Sequence, residues 1–293
     1  VNLVTTVLEI VAPVFILAGL GFAWVRLGFE YRVEFVTRLG MTLAVPCLVF
    51  VALMETTLPA GAVSGAALAA LAAHGGVTVA SFVIVRVMRL ELRTYLAPLI
   101  FGNTGNLGLP LALFAFGAEG LSYAVIVFAV TSFLSFTFGL WLVSGGGSLR
   151  RVVQEPLVAA TVLGAIFLWQ GWQTPRFLTN AIDLIGQMAI PLMLITLGVA
   201  VARLSPGRVG RAVLLTVLKF VVCASVAWGT AVLFGLGPVA AAVLIMQMST
   251  PVAVTSYLLA EKYGAQSDAV AGLVVVSTVM SVGTLPLLLA FLV

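Results

Sequence analysis

Few side chains in this chain could do chemistry, and most of those lie inside apolar stretches. The single histidine, His74, and the two cysteines, Cys47 and Cys223, are far apart along the chain. Neither a disulfide nor a zinc site follows from that spacing. No HExxH, no phosphate-cradling glycine loop and no dinucleotide fingerprint occurs. Hydroxyls are plentiful, but none has a base beside it at matching depth. The residues therefore exclude the common enzyme classes. They do include two dense polar interruptions. One runs Gly102, Asn103, Thr104, Gly105, Asn106, Leu107, Gly108, Leu109, Pro110; the other runs Gln247, Met248, Ser249, Thr250, Pro251, Val252. Amide and hydroxyl side chains, with backbone N–H groups freed by glycine and proline, can hold an anion without fixed charge and release it again.

The elements that position these residues follow from composition. Of the 293 residues, 62% are hydrophobic and 8% are charged, against about 45–50% and roughly 25% in soluble domains. A soluble core cannot hide that much apolar side chain, so lipid must be the solvent for most of it. Apolar runs of about 20 residues recur throughout, each long enough to cross a ~30 Å hydrocarbon core. The reading is an all-α polytopic membrane protein with ten transmembrane spans: 3–25, 36–55, 60–86, 94–116, 119–143, 157–171, 177–202, 209–233, 237–260 and 267–292. The first run reads as a span rather than a cleaved leader, because its charges follow it and no small-residue cleavage site comes next. No polar stretch suffices for a soluble domain, so the expectation is one membrane domain.

Twelve of the fourteen Lys and Arg residues fall in loops on one side, after spans 1, 3, 5, 7 and 9. Basic loops stay cytoplasmic, which predicts a cell-membrane protein with both termini outside. The same distribution accounts for the net charge of +4 without a nucleic-acid partner.

The chain also repeats. Pro46, in LAVPCLVF, matches Pro191, in MAIPLMLI; FGAEGLSYAV matches YGAQSDAV; both pairs share an offset of about 145 to 147 residues. This predicts repeat one at 1–143, a linker at 144–156 and repeat two at 157–293. Five spans per half invert the second repeat, an arrangement in which transporter sites form where broken helices meet near the midplane. Counting the helical rise from Arg93 and Lys262 puts Asn103 and Thr250 roughly 15–18 Å deep. Two half-helix starts meeting there would aim free N–H groups and positive dipole ends at a carboxylate. The predicted substrate-binding residues are Asn103, Thr104, Gly105, Asn106, Ser249, Thr250 and Val252, and the predicted helix-breaking residues are Gly102, Gly108, Pro110 and Pro251. Gln247, whose carbonyl Pro251 frees, is a supporting polar group.

Lys219 and His74 share the depth of the breaks. Three readings of Lys219 stand: direct contact with the substrate, a positive field for the anion, or a structural ammonium bonded to freed carbonyls. His74, in a small-residue surface, reads as a satisfied structural histidine, with a proton-handling role as the alternative. Glu9 and Asp183 lie nearer the exterior, so the carboxylate that commonly carries a coupling proton is missing at the breaks. No cofactor is expected, and coupling to Na⁺ or H⁺ stays open.

The motif FGNTGNLGLPLALFAFG resembles the fourth helix of the auxin efflux carrier family, which includes plant carriers and bacterial malonate or malate permeases. STPVAVTSYLLAEKYG resembles that family's second crossover segment. The resemblance implies crossed, discontinuous fourth and ninth helices, with spans 1, 2, 6 and 7 as a scaffold that forms a homodimer. Spans 3–5 and 8–10 form the moving bundle of an elevator-type carrier. It implies that Asn103 contacts substrate and that Pro110 and Pro251 are crossover prolines. The short central loop SGGGSLRRVVQEP looks bacterial, so a small mono- or dicarboxylate anion is the expected substrate. A sodium-coupled organic anion symporter of the bile-acid type is the alternative.

Overall fold

The computed structural model describes residues 3–145, 156–203 and 209–292. Residues 146–155 of the predicted linker, with Arg150 and Arg151, lie outside them, as does Arg208. Among the described residues there is no strand. The helices are α1 (Leu3–Arg26), α2 (Val33–Leu39), α3 (Val45–Met54), α4 (Ala60–Val87), α5 (Leu92–Ile100), α6 (Leu109–Leu134), α7 (Leu140–Ser144), α8 (Pro156–Gln170), α9 (Arg176–Gln187), α10 (Ala189–Arg203), α11 (Val209–Leu233), α12 (Pro238–Met248), α13 (Val254–Lys262) and α14 (Ser267–Leu292). Three π-helical turns, Gly40–Ala44, Thr104–Gly108 and Ser135–Gly139, lead into α3, α6 and α7.

Seven helical runs among the described residues are long and apolar enough to cross a membrane, and two shorter apolar helices, Pro156–Gln170 and Pro238–Met248, accompany them. One run, Thr104–Ser144, has 41 residues, about 60 Å at the helical rise and twice a bilayer core. Gly117 divides it: φ 62°, ψ −150° is a conformation open only to glycine. The chain is thus a polytopic helical membrane protein.

Small residues let the helices approach closely. A Cβ on Gly198 would overlap the Ala18 carbonyl, and one on Gly21 would overlap the Ile195 carbonyl, so α1 and α10 pack backbone against backbone. On α4, Ala66, Ala69, Ala70, Ala73 and Val77 are buried at helical spacing. Most of that stripe packs with Cys223, Ala227 and Ala231 of α11. Where lipid tails are as apolar as leucine, this fit drives association. The packing falls into two groups. α1 lies along α10, and α3 lies along α8 and α9; separately, α6 packs on α12, and α11 packs on α4, α12 and α14.

Candidate solute site between two interrupted helices

The first interruption is short. α5 ends at Ile100, Phe101 is extended (φ −94°, ψ 120°), and a π turn starts at Thr104. The second separates α12 from α13, with Ala253 extended before Val254. The two meet: Gly102 and Val252 form an antiparallel bridge, and the Asn103 N–H donates to the Pro251 carbonyl at 2.7 Å. Contact this close requires glycine, because a Cβ on Gly102 would overlap Thr250 Oγ1. Each interruption satisfies part of the backbone that the other leaves bare, which is what irregular chain at membrane depth requires.

Two helix starts open from this contact. The Asn103 carbonyl is the first acceptor its helix uses, taking the N–H groups of Leu107 (3.1 Å) and Gly108 (3.2 Å). The amides of Thr104, Gly105 and Asn106 precede it and have no acceptor in their own helix. α13 begins likewise at Val254 and Thr255. Both starts line one cavity of about 70 Å³, closed by Phe128, Thr131, Ser132 and Ser135 and by Met41 and Met193. In its wall, the Nδ2 of Asn103 is buried without a hydrogen-bond partner, and the residue is 5% exposed. Gly105 lets the turn press on its neighbours: Met193 Cε and Phe128 Cε2 lie 2.9 Å from where a Cβ would stand.

A wider cavity of about 340 Å³ shares Met41, Asn106, Met193, Val254 and Thr255 with the first, and Glu34, Arg203 and Glu261 stand in it. Beside it, Arg203 Nη2 donates to the Tyr31 carbonyl at 2.6 Å, and the Tyr31 hydroxyl pairs with Thr196 Oγ1 at 2.8 Å. Burial raises the Tyr31 phenol above its usual range, so that hydroxyl is neutral at physiological pH.

The helix ends that finish at the contact face the other way. Lys219, 4% exposed, donates from Nζ to the Leu99 carbonyl at 3.2 Å, with Cys223 Sγ at 3.8 Å. In an unbroken helix Leu99 would bond the Asn103 amide, which is committed to Pro251. The structure shows Lys219 bonded to a freed carbonyl. Ser249 and Thr250, expected to bind substrate, line this second face with Lys219, because each hydroxyl turns back on its own helix. Ser249 Oγ donates to Ile245 O and Thr250 Oγ1 to Gln247 O, both at 2.7 Å. The Val252 amide is taken by Ser277 Oγ at 3.0 Å.

Two expected helix breakers are not at the break. Gly108 is in the π turn, and Pro110 stands at the start of α6, after that turn has restarted the helix at Thr104. Pro110 is therefore not where the two segments cross. Gly108 serves close packing instead, since a Cβ there would overlap Gln247 Oε1. Gln247 is fully buried, donates weakly to Ala124 O at 3.4 Å, and leaves Oε1 unpartnered.

His74 lies 2.8 Å by Nδ1 from Ala70 O and 3.2 Å by Nε2 from Thr131 Oγ1. A carbonyl only accepts, so Nδ1 carries the proton; the Thr131 hydroxyl beside Nε2 donates to the Val127 carbonyl at 2.8 Å. Thr131, Ser132 and Ser135 were missed in the sequence. Their signal was present: the same hydroxyl spacing returns as Ser277, Thr278 and Ser281, at about the repeat offset.

A polytopic helical bundle with a buried polar cavity between two interrupted helices is the architecture of a solute-handling membrane protein. The family model described as membrane transport protein matches residues 6–148 and 142–289, and the chain belongs to that family, the auxin efflux carrier family of transporters. It is similar to an uncharacterized transporter of Methanothermobacter thermautotrophicus, 30% identical over 192 residues. It is also similar to a provisionally named malonate transporter of Rhizobium meliloti, 24% identical over 205 residues. The first match covers 63% of this chain and 63% of the relative; the second covers 63% and 62%. The chain thus spans less than two thirds of the length of the relatives it matches. It is a multi-pass helical membrane protein of that family.

Proposed function

We propose that this transporter is a secondary carrier of small organic carboxylates and that the cavity between the two helix starts is its substrate site. The observation that carries the reading is the Asn103 amide, a buried donor with no partner, beside two sets of N–H groups that face the same space. A carboxylate there would satisfy all three, aided by roughly half a positive charge at each helix start. At about 70 Å³ the cavity is small beside the ~300–1,000 Å³ of drug-sized sites. That favours a short mono- or dicarboxylate over a bulky amphiphile, and the name of the Rhizobium relative points to malonate.

The proposal includes elevator-type alternating access. The cavity walls come from both packing groups: Met41 and Met193 from one, and residues 102–106, 128–135 and 253–255 from the other. Sliding the second group, the moving bundle of a 5+5 inverted repeat, past the first would carry the site across. With the basic loops inside and both termini outside, the wider cavity beside Arg203 is the cytoplasmic entrance. The outer face of the first group, where Trp169 and Phe177 are exposed, would meet lipid and a second copy in a homodimer.

The test is Asn103→Ala in purified protein. Wild-type protein should be stabilised against heat by malonate or a similar anion, since a ligand of the native state shifts unfolding. The variant should melt at the same temperature without ligand and bind about ten- to a hundredfold more weakly, as loss of a charge-assisted hydrogen bond implies. Unchanged affinity in a stable variant would sink the assignment.

A further inference from the structure

We propose that the protein binds a phospholipid with a primary ammonium headgroup, of the phosphatidylethanolamine kind, in a cavity between the starts of α11 and α14. Arg211 takes the phosphate and Asp268 the ammonium. The cavity, of about 540 Å³, is lined by Tyr95 of α5, Arg211 of α11, and Gln266, Ser267 and Asp268 where α14 begins. Both α11 and α14 are long and apolar enough to span a membrane, so their first turns stand where headgroups lie. On either side of Arg211 along the chain, Val209, Val213 and Val217 are exposed at helical spacing, a stripe that meets acyl chains.

Three observations point to a ligand here. Tyr95 is 4% exposed, and its hydroxyl makes no hydrogen bond among the described residues, although a buried phenol usually finds a partner; the space beside it is this cavity. Arg211 and Asp268 share the cavity without pairing with each other, since among the described residues the ion pair is Arg32 with Glu30. At the start of α14 the N–H groups of Ser267, Ala269 and Val270 have backbone acceptors, whereas that of Asp268 has none among the described residues. The rim is fixed in advance: the Gln266 N–H donates to Thr94 Oγ1 at 3.2 Å, and its Nε2 donates to Glu91 Oε2 at 3.0 Å.

An ion of one sign would be attracted by one of the two charged side chains and repelled by the other. A zwitterion with phosphate and ammonium a few bonds apart satisfies both. Its phosphate accepts from the guanidinium, the phenol and the helix start, and its ammonium donates to the carboxylate. A trimethylammonium head has no N–H to give, and a phosphoglycerol head has no cation. Phosphatidylcholine and phosphatidylglycerol therefore fit only the phosphate half. None of this depends on the substrate or on Asn103.

The experiment titrates the purified protein in detergent with dioleoyl phosphatidylethanolamine, phosphatidylcholine and phosphatidylglycerol. Bound lipid is counted by native mass spectrometry, and thermal melting gives a second readout. Wild type should bind the ethanolamine lipid about tenfold more tightly than either competitor, as one charge-assisted hydrogen bond implies. Asp268→Asn should erase the preference over phosphatidylcholine and strengthen phosphatidylglycerol, from which it removes a repulsion. Arg211→Gln should weaken all three lipids, and Tyr95→Phe should do so by a few fold. Arg211 and Asp268 are exposed, so those two variants should melt like wild type before lipid is added. Equal affinity of wild type for the ethanolamine and choline lipids, or a preference that survives Asp268→Asn, would overturn the proposal. Soluble phosphoethanolamine and inorganic phosphate form the control arm: either one binding as tightly as the lipid would overturn the membrane source.

Discussion

Replacing Gly102 with Ala probes the contact on which the site depends. A Cβ there overlaps Thr250 Oγ1 and stands 3.1 Å from the Thr250 carbonyl oxygen. Thr250 cannot rotate away freely, because its hydroxyl caps the Gln247 carbonyl that Pro251 leaves bare. The substitution must spoil that cap or push the segments apart, which strains the Asn103 to Pro251 bond. Overpacking of a tight site costs about 1–3 kcal/mol. Loss of one buried hydrogen bond adds about 1 kcal/mol. Thermal unfolding of the purified variant should fall by roughly 4–16 °C, taking ~2–4 °C per kcal/mol for a chain of this size. Thr250→Ala alone should cost about 1 kcal/mol for the uncapped carbonyl. In the double variant the offending Oγ1 is gone, so the loss should be smaller than the two single losses together by at least ~1 kcal/mol, the signature of directly contacting residues. Strict additivity, or a Gly102→Ala protein as stable as wild type, would refute the claim that the two interruptions touch here.

Gly198→Ala should be among the most destabilising single-methyl additions in the protein, by about 2–3 kcal/mol or more, because it meets the α1 backbone rather than a movable side chain. Ala18→Gly should not rescue it, since the clash is with a main-chain oxygen; thermal melts of both variants check this. His74→Gln should lower stability while leaving the pH profile of uptake between about pH 5.5 and 8 unchanged, because Nδ1 is bonded within α4 to the Ala70 carbonyl and Nε2 ties α4 to Thr131 of α6. A flattened profile in proteoliposomes would instead make His74 a proton carrier.

Much of the architecture was legible because lipid imposes a simple rule on composition. The runs expected at 209–233 and 267–292 are α11 and α14, and the interruptions lie within the two polar stretches singled out by glycine, asparagine and proline. The prolines were less informative than their chemistry suggested. Pro251 sits at a break, whereas Pro110 sits beyond one, inside a helical run that a π turn had already restarted at Thr104. Sequence can say that a helix will be disrupted, but the backbone settles where, by choosing the register that leaves the fewest bare polar groups.

By itself, then, the sequence determined that this chain lives in a membrane and where its helices weaken. Those properties depend on residue type and local spacing alone. Which hydroxyl faces which side was decided only by tertiary structure. Ser249 and Thr250 share a segment with the α13 start, yet they point to Lys219, while Thr131, Ser132 and Ser135 from another helix complete the opposite cavity. The reason is that a broken helix has two ends of opposite polarity. Pairing two of them gathers both starts on one face and both finishes on the other, and that sorting exists only once residues 102 and 252 meet.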